Sequence, residues 1–167
     1  AYNPNPPRLY AYEYDGTKFP DAPDLSSSLD LPSNFQFRAS RVIIGNADAD
    51  ADNEVIITSR RDDFGGASAG RTMSIYHLSG SVAGGFAVLQ REFIDSSAVL
   101  KGGAVYDAGL VDFDGDGKQE VWVFTWDMFS LAIYEQNGAN SYMLRADINQ
   151  ATSPNDIGAR QGMRFYD

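Results

Sequence analysis

The sequence predicts an all-β chain of repeated four-stranded antiparallel sheets, on three observations. Short runs rich in β-branched and aromatic residues, such as Val55-Ile56-Ile57-Thr58 and Val121-Trp122-Val123-Phe124, are bounded by Gly, Asn and Asp turns. No stretch of the 167 residues keeps apolar positions at i, i+3, i+4 and i+7 for three turns, so no amphipathic helix is expected. Two independent features recur with one period of roughly sixty residues, the mark of a chain built from copies of a single unit.

Residues 1–40 hold the end of one unit and a connection. Ala1 to Pro7 lacks the basic and apolar regions of a signal peptide. Leu9 to Tyr14 reads as a strand closed by an Asp15-Gly16 turn. Pro20 to Pro32 reads as a connection between units, because strand patterns resume directly after its prolines. Residues 41–100 form a whole unit. A strand from Arg41 to Gly45 enters an acidic loop, Asn46 to Glu54, and Val55 to Thr58 leaves it as a second strand. A variable loop from Arg60 to Arg71 leads to a tyrosine-bearing strand, Met73 to Leu78, then a Ser79-Gly80 turn and an outer strand at Phe86 to Leu89. Residues 101–150 repeat the plan: a strand from Gly103 to Val111, an acidic loop from Asp112 to Glu120, Val121 to Phe124, Leu131 to Gln136, an Asn137-Gly138 turn, and Tyr142 to Leu144. Residues 151–167 end in Met163 to Asp167, which reads as the first strand of a following unit.

The period rests on two alignments. Tyr12, Tyr76 and Tyr134 stand 64 and 58 residues apart, and Glu54 and Glu120 stand 66 apart. A four-stranded β-propeller blade with long loops gives such a period. Two whole units between two halves fall short of the four or more blades that close a ring. The expectation is therefore a segment of a larger propeller, or a chain that completes its sheet with another copy.

The acidic loops carry the chemistry. Calcium takes six to eight oxygens, and carboxylates alternating along a tight loop supply them. Asp112, Asp114 and Asp116 fall at the first, third and fifth positions of their loop, the Lys118 carbonyl at the seventh, and Glu120 at the ninth. Gly117 occupies the sixth, where a sharp turn is needed. In the other loop Asn46, Asp48, Asp50, the Asp52 carbonyl and Glu54 take the same places, but Ala51 replaces the glycine. The last acid at position nine and the flanking strands distinguish both loops from an EF-hand.

Asp-x-Asp-Gly-Asp-Gly-x-x-Glu before a Val-rich strand resembles the calcium loop of FG-GAP and VCBS repeats, found in integrin α-subunit propellers and bacterial surface proteins. Tyr76 and Tyr134, in strands ending at glycine turns, are similar to that family's tyrosine strand. The resemblance covers residues 41 to 148. The Phe-Gly-Gly-Ala-Pro signature is absent, with Phe64-Gly65-Gly66 only an echo, so the VCBS-like form is the closer relative. What the resemblance implies is one or two structural Ca2+ ions and a secreted or cell-surface module for adhesion or assembly.

Composition narrows the function classes. A formal charge of −10, from 23 acids against 13 bases, repels phosphate backbones and disfavours nucleic acid. No apolar run reaches eighteen residues, so no membrane-inserting helix is expected. With no cysteine and one histidine, His77, thiolate sites and multi-histidine zinc sites are excluded, and a serine-type triad is disfavoured. His77 reads as a residue on a strand face. Trp122 and Trp126 read as packing between sheet faces in preference to a sugar-binding platform. Arg60-Arg61-Asp62-Asp63 reads as a solvated charge mixture, and Gly65-Gly66 and Gly84-Gly85 as flexible loops with no following helix to cradle a phosphate. The functional expectation is a non-enzymatic calcium-binding module whose partners are a protein or glycan ligand, or other copies of itself. The alternatives are a carbohydrate-binding or carbohydrate-active module, and a subunit of a self-assembling fibre or sheath.

Overall fold

The computed structural model describes residues 8–29, 39–48, 50–59, 72–81, 85–95, 105–125 and 130–149. The described residues are all-β, with ten strands in three antiparallel sheets and no helix. A small sheet pairs β1 (Arg8–Ala11) with β2 (Leu25–Ser28). The first large sheet runs in sequence order through β3 (Ala39–Gly45), β4 (Asn53–Ser59), β5 (Thr72–Ser81) and β6 (Gly85–Asp95). The second repeats that order with β7 (Val105–Val111), β8 (Glu120–Thr125), β9 (Ser130–Gly138) and β10 (Ser141–Asn149). No sheet closes on itself among these residues.

The two large sheets share one register. Val55 pairs with Tyr76 as Val121 pairs with Tyr134, and Gly45 faces Glu54 as Val111 faces Glu120. Even the irregularities coincide. The pairing of β5 with β6 slips between Ile75 and Tyr76, leaving Glu92 as the extra residue, and that of β9 with β10 slips between Ile133 and Tyr134, leaving Arg145.

Alternation along each strand gives every sheet two faces. On the first large sheet, Val55, Ile57 and Tyr76 pack against Leu29 and Leu9 of the small sheet's side. Its other face, with Ile56, Met73, Ile75 and Phe93, joins Val121, Val123, Ala132 and Tyr134 of the second sheet in a single core. The residues Val121, Val123 and Tyr134 are the counterparts of Val55, Ile57 and Tyr76. Like faces therefore point the same way, and the sheets stack head to tail. β3 lies over β7 and β6 over β10, with Arg41 bound to Asp107 at 3.3 Å between the first strands. Gly45 permits this approach: a Cβ there would meet Leu110 Cδ1 at 2.5 Å.

Several expectations are amended. Tyr12 is not a third copy of Tyr76 and Tyr134: it lies beyond β1 and is half exposed, whereas the other two are fully buried. The connection from Pro20 to Pro32 contributes β2, whose Ser26 and Ser28 hydroxyls bind the Arg8 guanidinium. Ser79 and Gly80 continue β5 rather than turning, because the strand pairs with β6 as far as Ser81. In the next hairpin β9 runs through Gly138, and the turn falls at Ala139 and Asn140, with Asn140 taking φ 55°. The variable loop from Arg60 to Arg71, Trp126 and the strand expected at Met163 to Asp167 lie outside the described residues.

Candidate metal centre

Both acidic loops join the first two strands of a large sheet, and both are laced by the same bonds. Glu54 Oε2 accepts the Ala47 N–H at 2.5 Å, and Glu120 Oε2 accepts the Phe113 N–H at 2.6 Å. Asp48 accepts from Asp50 N and Asp50 from Asp52 N, as Asp114 accepts from Asp116 N and Asp116 from Lys118 N. These i to i+2 carboxylate turns fold each loop tightly enough to bring its acids together.

In the second loop one oxygen from each of Asp112, Asp114, Asp116 and Glu120 lies within 4.8 Å of the others. Gly115 and Gly117, at φ 76° and 89°, turn their N–H groups inward onto Asp112 at 2.6 and 2.9 Å. Glu120 is 3% exposed, and its Oε1 has no hydrogen-bond partner. Burial, followed by the charges of Asp114, Asp112 and Asp116, pushes its carboxyl above the usual range. Lys118 turns its ammonium onto Asp116 at 3.2 Å. A buried carboxylate oxygen facing three more acids is chemically suited to a divalent cation.

Among its described residues the first loop diverges at one peptide. The Asp50 carbonyl accepts the Asn46 side-chain amide at 2.7 Å, whereas the equivalent peptide of the second loop offers its N–H, on Gly117, to Asp112. Ala51 stays out of the left-handed region that Gly117 enters, so this peptide is turned over. A turned-in carbonyl needs a donor at the first position, which is why an amide stands where the other loop has a carboxylate. Of the expected set of Asn46, Asp48, Asp50, the Asp52 carbonyl and Glu54, the side-chain acids fall in two groups that share Glu54. Asp50 joins Glu54 and His77, while Asp48 joins Glu54 and Glu92.

His77, Glu92, Asn140 and Tyr142 are the site residues that sequence reasoning missed. His77 sits opposite Glu54 on β5, and its neighbour Tyr76 could have revealed it, since the residue after an aligned tyrosine lies beside the loop's last acid. Glu92 arrives through the β6 bulge, which leaves no trace in the sequence. Its side chain is 2% exposed, and burial together with Glu54 and Asp48 pushes its carboxyl up to about 7. Tyr142 Oη donates to Glu92 Oε2 at 3.3 Å. The Asn140 N–H donates to Asp48 at 3.2 Å; its side-chain amide nitrogen, turned toward the acids, reaches Glu92 at 2.9 Å. The turn between β9 and β10 thus locks the second sheet onto the acids of the first.

Compared with models of protein families, with curated proteins and with solved structures, the chain matches none.

Proposed function

We propose that this chain is a segment of a β-propeller built from calcium-loaded repeats of the FG-GAP/VCBS kind, serving outside the cell or at its surface as a non-enzymatic module for adhesion, protein interaction or assembly. The observation that carries the reading is the buried, unpartnered Glu120 oxygen among Asp112, Asp114 and Asp116, in a loop whose bonding repeats once per sheet. Crowded carboxylates repel one another, and a divalent ion turns that repulsion into a clamp across the loop. Head-to-tail stacking of like faces supports a propeller, because a heterologous contact repeated around an axis closes into a ring.

The same contact, if it does not close, runs on as a fibre. One observation bears on both readings. A recess of about 420 Å³ on the second sheet is lined by Phe113, Asp114, Glu120, Ile133, Glu135 and Arg145. It is the counterpart of the surface on the first sheet that receives Asn140 and Tyr142. A further unit of like design, from this chain or another copy, fits there. Particle size under native conditions separates ring segment from fibre. The carbohydrate reading is weakened at one point, since Trp122 is buried and offers no exposed platform.

The test is thermal unfolding with chelator and with added calcium. Calcium raises the melting temperature, chelator lowers it, and Asp114→Asn removes the difference. A melting temperature indifferent to both overturns the calcium reading.

A further inference from the structure

The acids of the first sheet are less well neutralised than those of the second. Asp52 stands where the second loop has Lys118, and Glu92 stands at the bulge where the second sheet has Arg145, which is ion-paired with Glu135. Asp48, Asp50, Asp52, Glu54 and Glu92 therefore converge with one basic group facing them among the described side chains, the imidazole of His77. His77 Nδ1 lies 3.6 Å from Asp50 Oδ2, 3.9 Å from Glu54 Oε1 and 3.4 Å from Glu92 Oε1. Neither Nδ1 nor Glu54 Oε1 has a hydrogen-bond partner, and Glu54 is fully buried.

These separations are long for hydrogen bonds; the one to Glu92 equals the edge of a tetrahedral coordination shell and those to Asp50 and Glu54 lie beyond it, while one atom each of His77, Asp50 and Glu54 falls within 4.8 Å of the others. Ligand atoms around a tetrahedral cation stand about 3.3–3.4 Å apart when its bonds are about 2.0–2.1 Å. The far ring nitrogen, Nε2, faces Asp52 Oδ2 at 3.4 Å. An acid behind the ring stands where carboxylate–histidine–metal sites carry the group that orients the imidazole. Nδ1 faces three carboxylates and makes a hydrogen bond to none of them.

From this geometry we infer that His77, Asp50 and Glu54 form a second kind of metal site, taking a first-row transition ion such as zinc in preference to calcium. An imidazole nitrogen suits such ions, whereas calcium favours oxygen throughout. Asp52 orients the ring, and Glu92 stands beside the ion as a further acid. The site lies in the first loop and is independent of the calcium reading of the second.

The test uses the whole chain stripped of metal by chelator. His77 is the one histidine, so its ring nitrogens give an unambiguous set of NMR signals. One equivalent of zinc shifts the Nδ1 resonance while Nε2 stays protonated; calcium at the same concentration leaves the Nδ1 resonance unmoved. In calorimetry His77→Gln loses zinc binding and keeps calcium binding, while Asp114→Asn keeps zinc binding, so the two sites fail separately. Ring signals that follow pH but ignore zinc overturn the site, as does zinc binding unchanged in His77→Gln or a calcium response at His77 equal to that of zinc.

Discussion

At Glu92 burial acts against charge. The carboxyl's pKa rises from 4.5 to about 7, first through burial and then through the charges of Glu54 and Asp48. In the metal-free protein the folded state therefore holds a proton that the unfolded chain has released once pH passes 4.5. Stability falls as pH rises across that window, by about 1–3 kcal/mol from this group. Glu92→Gln cannot ionise, and its amide oxygen still accepts from Tyr142. With chelator present, the variant melts higher than the parent at pH 8, and the gap closes at pH 5. A gap that is the same at both values refutes the assignment. Glu54 and Glu120 are raised by burial in the same sense, so the difference between the two proteins separates Glu92, with its coupling to Glu54, from Glu120.

Within a loop, the coupled choice at two positions decides which way one peptide faces. Asn46 and Ala51 belong together, as do Asp112 and Gly117. Asn46→Asp alone sets a carboxylate against the Asp50 carbonyl and lowers the melting temperature. Adding Ala51→Gly lets the peptide turn over, restores stability and adds a calcium-binding event in calorimetry. The pair then shows a coupling of about 0.5–3 kcal/mol in a double-mutant cycle; simple additivity would disprove the linkage. Strands and loops of this kind were legible because their signals are local. The cores of β4, β5, β8 and β9 were all placed from β-branched and aromatic runs, and the gathering of Asp112, Asp114, Asp116 and Glu120 follows from spacing alone. The bulge at Glu92 and the turn at Asn140 were not legible, because a register slip and a left-handed residue depend on how partner strands meet. The length of β6, eleven residues against the four expected, was hidden for the same reason: pairing to β5, not its own composition, extends it.

At the scale of the molecule, the two large sheets share one core among the described residues. Tyr142, from β10, is buried in that core, and its ring approaches Phe93 of β6 at 5.7 Å. Burial and the neighbouring acids hold its phenol far above the usual range, so it remains a donor to Glu92. Tyr142→Phe keeps the ring and removes that donor, at a cost of about 1 kcal/mol. Tyr142→Ala removes the ring as well and costs about 3–5 kcal/mol through lost burial and the cavity left behind. The distribution of that loss tests the architecture. If the sheets fold as one unit through this contact, hydrogen exchange in Tyr142→Ala quickens in β5 and β6 as much as in β9 and β10. Protection lost from β9 and β10 alone would show that each sheet is stable by itself, and the shared core would then be a docking surface rather than the source of cooperativity.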